Sequence, residues 1–76
     1  MVFRYQTSYC TFVLQQIATG EWGIFVNSDM CYSACKTIEA AIDDIRSGST
    51  GCEKWDERGY LEEDVPDDIR EWERIR

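Results

Sequence analysis

Polar and apolar positions alternate from the first residues of the chain. Phe3, Tyr5, Thr7 and Tyr9 interleave with Val2, Arg4, Gln6 and Ser8. A period of two predicts a strand with one buried face. "TFVLQQIA", residues 11–18, reads as a second or continuing strand. "TGEWG" then supplies a turn, and "WGIFVN" places Trp22, Ile24 and Val26 on one face. Strand, turn and strand predict an antiparallel hairpin.

The period changes after this point. Cys31, Cys35, Ile38, Ile42 and Ile45 step by four, three, four and three, which draws one apolar stripe along a helix. Two starts are open. Ser28 could cap a long helix, or Thr37 a shorter one with Glu39 in its first turn, making "DMCYSAC" a third short strand. Either start sets Ile38, Ile42 and Ile45 against a sheet, and "RSGSTG" ends the helix. Further on, Pro66 suits the first turn of a C-terminal helix, with Asp64, Asp67 and Asp68 near its positive end and Ile69 and Trp72 on one face. The pattern has no internal repeat. It predicts one α+β domain over residues 1–76, with a small antiparallel sheet (a hairpin or three strands), one main helix and a short C-terminal helix.

A chain of this size buries only about 60% of its unfolded surface, so its margin of stability is narrow. The apolar fraction of 43% is ordinary for a folded protein. Ten aromatic residues are more than so small a core is expected to hide, and surplus Trp and Tyr suit an interface. No segment reads as a signal peptide or a membrane span, so the expectation is a soluble cytoplasmic protein.

Charge alters the picture most. The net charge is −7, and up to Ile38 the charges cancel, whereas from Glu39 onward thirteen acids face six bases. Such a surface repels nucleic acid and anionic membranes, yet it permits docking on a basic protein. Glu62, Glu63, Asp64, Asp67, Asp68 and Glu71 crowd together with Tyr60, Trp55 and Trp72. A solvating tail seldom carries so many aromatics. These nine residues are therefore the expected partner-binding surface, with carboxylates steering encounter and aromatics anchoring it.

Other chemistry has less to stand on. The chain contains no histidine, so imidazole bases and Ser-His or Cys-His arrangements are excluded, and it has no glycine-rich phosphate loop. Asp43 and Asp44 flank the apolar stripe as a solvated helix face would. "EEDVPDD" lacks the glycine and the alternation of a calcium loop. Cys31 and Cys35 have the spacing of a zinc half-site, but Cys10 and Cys52 stand apart. Buried thiols are the expectation, with a zinc- or disulfide-stapled module as the alternative. No cofactor, no metal and no enzymatic activity are expected.

"GEWGIFVN" followed by "KTIEAAIDDI" resembles the hairpin-then-helix of small phage and mobile-element proteins, among them the anti-CRISPR inhibitors. The likeness spans residues 20 to 45 and carries over no site residue. It implies a non-enzymatic inhibitor that blocks the nucleic-acid site of a host defence complex by presenting carboxylates where phosphates would lie. The alternative is a structural or adaptor protein that forms a homodimer through exposed aromatics.

Overall fold

Strand pairing organises the chain into a five-stranded antiparallel sheet, in which the last strand lies at the edge beside the first, and one helix packs on one face. The computed structural model describes residues 1–57 and 65–76. The first four strands form a meander: β1 (Val2–Gln6), β2 (Thr11–Gln16), β3 (Trp22–Val26) and β4 (Asp29–Cys35). The sheet is larger than the hairpin or three strands expected, because the chain's last residues add an edge strand, β5 (Glu73–Arg74), beside β1.

Turn chemistry fixes the register. Asn27 and Ser28 both have positive φ, 49° and 76°, as the two central residues of a type I′ hairpin turn require. Asn27 also accepts a hydrogen bond from the Thr11 amide through Oδ1, at 3.0 Å, which ties this turn to β2. Ser28 thus turns the β3–β4 hairpin and caps no helix. Between Gly23 and Phe25 the β3–β4 register shifts, with Gly23 opposite Ala34 and Phe25 opposite Met30.

The helix α1 (Ile38–Ser47) takes the later of the two starts. Thr37 is extended, and its hydroxyl accepts from the Ala40 amide at 3.1 Å. Gly48, at φ 75°, closes the other end, with its amide directed at the carbonyls of Asp44 and Ile45. Ala41, Ile42 and Ile45 are buried against Phe12, Leu14, Trp22, Ile24 and Val26 of the sheet.

The rest of the second half is short pieces pinned by single large side chains. A four-residue helix, α2 (Glu53–Asp56), buries Trp55 completely. Its indole N–H donates to the Ile45 carbonyl at 2.7 Å, and its ring meets Phe12 edge-on at 4.6 Å. Val65 is 2% exposed, and its carbonyl accepts from Arg46 Nε at 3.1 Å. Trp72 is 5% exposed and packs on Tyr5 with ring centroids 5.5 Å apart.

The expected helix from Pro66 is a single 3-10 turn, Ile69–Glu71, that begins three residues later. Asp68 is extended, and its carboxylate accepts from the Arg70 amide at 2.9 Å, so the turn starts after Asp68 and not at Pro66. Glu71 and Trp72 then donate to the carbonyls three residues back. Drawing Trp72 into the core and pairing the next two residues with β1 leaves no length for a longer helix. No helix among the described residues is long and apolar enough to cross a membrane.

Candidate functional site: a carboxylate-rimmed cleft

Every described carboxylate is at least partly exposed, and Thr50 is the one buried polar residue among those described. Several of these acids already serve the fold. Asp56 accepts from the amides of Thr50 and Gly51 and from the Thr50 hydroxyl, the last at 2.6 Å, which fixes the turn into α2. Asp44 accepts from the Cys35 thiol at 3.1 Å. Glu73 pairs with Arg4 across the β1–β5 edge at 2.7 Å.

Near the start of α1, the chain instead forms an open cleft of about 310 Å³ lined by Glu39, Ile42, Asp67, Asp68 and Ile69. Two isoleucines make an apolar floor and three carboxylates stand at its rim. Glu39 belongs to the first turn of α1, while Asp67 and Asp68 are held there because Val65 and Trp72 anchor the chain on either side. The rim is partly neutralised. Arg70 grips Asp68 at 2.7 Å, and these side-chain bonds, with the Arg70 amide, hold the Asp68 carboxyl below the usual carboxylate range. Arg46 lies 3.7 Å from Asp67, whose side chain is 71% exposed. Glu39 is exposed.

Set against this geometry, the residues expected to meet a partner divide into three groups. Asp67 and Glu71 are exposed and Asp68 is half-buried at the cleft. Tyr60, Glu62, Glu63 and Asp64 lie outside the described residues. Trp55 and Trp72 are corrected: both are core residues, with each indole N–H directed at a backbone carbonyl, so neither is available as a surface anchor. Their acidic neighbours suggested exposure, but short irregular segments need large apolar side chains to hold them down. Glu39, Ile42 and Ile69 were not singled out as a site in the sequence. Glu39 could have been, since it shares a helix face with buried Ile42 three residues on.

The cysteines are all thiols in this structure, Cys10, Cys31 and Cys35 buried and Cys52 partly so. Cys31 belongs to β4 and Cys52 precedes α2. Burial, followed by the neighbouring Cys52 sulfur, pushes the Cys31 thiol up to about 12. Cys52 also lines a second cleft of about 310 Å³, with Tyr9, Cys10, Asn27 and Lys54. No three metal-ligating side chains converge among the described residues.

Comparison with known proteins adds no assignment: no family model, curated protein or solved structure matches the chain.

Proposed function

We propose that this is a non-enzymatic binding protein that docks through its acidic second half on a basic, nucleic-acid-binding protein or complex and blocks that partner's nucleic-acid site. It would act as an inhibitor of the anti-CRISPR kind, with carboxylates standing in for phosphates. The observation that carries the reading is the cleft of Glu39, Asp67 and Asp68 over Ile42 and Ile69. An arginine or lysine of a partner fits it in both parts, with the aliphatic stem on the isoleucines and the charged head among the carboxylates. The net charge of −7 favours encounter with a basic surface and opposes direct binding to nucleic acid. Self-association through exposed aromatics, the competing reading, loses Trp55 and Trp72 as contact residues.

The test is capture from a nuclease-treated extract of the natural host, with tagged wild type and with a variant carrying Glu39→Lys, Asp67→Lys and Glu71→Lys. The captured complex is purified, and its affinity for both proteins and for labelled duplex is measured at low and high salt. The wild type should compete with the duplex and weaken with salt, and the variant should bind at least about tenfold more weakly, since charge-steered contacts respond to screening and reversal. Equal affinity of both proteins at both salt levels overturns the proposal. So does capture of partners that bind no nucleic acid.

A further inference from the structure

The sheet has two faces, and the helical segments pack on one of them through Ile42, Trp55 and Ile69. The other face carries no helix among the described residues. Strand pairing draws a single row across it: Glu73 beside Arg4, Arg4 beside Val13, Val13 beside Phe25, and Phe25 beside Met30. Its last three members are apolar, and Met30 is 49% exposed. A side chain at Gly23 would meet Ile17 Cγ2 at 3.0 Å, the Phe25 ring at 3.2 Å and Met30 Cε at 3.4 Å. Ile17, Phe25 and Met30 thus close over this glycine into one apolar patch. Thr11 on one side of the row and Gln15 on the other give it a polar border. An antiparallel sheet with a solvated face ordinarily puts polar side chains at its centre, and this one does not.

We infer that a second copy of this chain docks on that face, sheet against sheet, about a two-fold axis that sets the Val13–Phe25 pair of one copy on that of the other. Charge selects this occupant. The chain carries −7, yet among the described residues the paired strand positions of this face hold only Arg4 and Glu73 as charged groups, bound to each other at 2.7 Å. Two copies can therefore meet there with their excess acids held apart, whereas a basic partner finds no net charge to draw it. Area agrees. One side of a body measuring 30 × 23 × 20 Å carries roughly a sixth of its 4922 Å² surface, about 800 Å², which is what each partner gives to an interface of standard size. An apolar centre inside a polar border is also how such interfaces are built. The row includes no tryptophan, and the acidic cleft beside α1 lies on the opposite side of the sheet, so the dimer carries two clefts outward. The inference stands whether or not the docking reading does.

The experiment is sedimentation of the full chain from about 1 to 200 µM, at low and at high salt. The wild type should pass from monomer to dimer within that range. The dimer should tighten as salt rises, because screening weakens the repulsion between two chains of −7 and leaves apolar contact intact. Docking on a basic partner responds to salt in the opposite direction, so the two proposals fail separately. Met30→Lys should weaken the dimer at least about tenfold, even though it lowers the net negative charge. Ala34→Lys, at an exposed position opposite Gly23, repeats the test should Met30→Lys not fold. Asp43→Lys, on the exposed side of α1, should not weaken the dimer. A wild type that stays monomeric throughout, a dimer that loosens with salt, or a folded Met30→Lys or Ala34→Lys variant that dimerises as the wild type does overturns the inference.

Discussion

The two halves of this chain use aromatic side chains differently. In the first half, Phe12 and Trp22 belong to regular strands, and each is buried because its register places it on the inner face. In the second half, Trp55 and Trp72 belong to a four-residue helix and the end of a 3-10 turn, where no long periodicity assigns a face. Yet both are as deeply buried as the strand residues. Segments with few backbone hydrogen bonds of their own need large apolar anchors, and in so small a domain these anchors are a major part of the core. The described acids around them stay at least partly exposed. Mixed acidic and aromatic composition therefore marks a division of labour: aromatics hold the chain down, and carboxylates meet the solvent or a partner.

That division can be broken at its anchors. Trp55→Ala should cost about 3–5 kcal/mol, since it empties a fully buried site and removes the indole hydrogen bond to the Ile45 carbonyl. Against the modest total stability of a small domain this should leave a substantial unfolded fraction, measurable by denaturant titration. A cost below about 1 kcal/mol would mean that the second half contributes little to the core. In the first half the weak point is backbone conformation. Ser28 occupies the left-handed region at φ 76°, so Ser28→Gly should stabilise by about 1 kcal/mol, seen as a shift in denaturation midpoint at unchanged slope. The smallest effect on stability belongs to the acidic rim. The Glu39→Lys, Asp67→Lys and Glu71→Lys variant should lose about 1 kcal/mol at most, chiefly from Glu39 in the first turn of α1, while its binding suffers most.

The same comparison explains what was legible in the sequence. Alternation and a stripe of steps four and three predict β1 to β3 and the buried face of α1, because regular elements repeat their environment. The helix start stayed open because Ser28 and Thr37 are both capable caps. Only the positive φ of Asn27 and Ser28 shows that the earlier one turns a hairpin instead. β5 was not legible, since two residues carry no period and their place is set by pairing with Phe3 and Arg4 at the far end of the chain. The candidate site was half legible. Asp67 and Asp68 stood out by charge, whereas Glu39, Ile42 and Ile69 line the same cleft only through the fold.

Quenching of tryptophan fluorescence by acrylamide tests the division most directly, and a neutral quencher is needed because the acidic surface would repel iodide. Trp22, Trp55 and Trp72 are 8%, 0% and 5% exposed, so the native protein should emit to the blue of free tryptophan and be quenched several-fold less than the unfolded chain. Native quenching equal to that of the unfolded chain for a third or more of the emission would contradict the account, returning Trp55 or Trp72 to the surface.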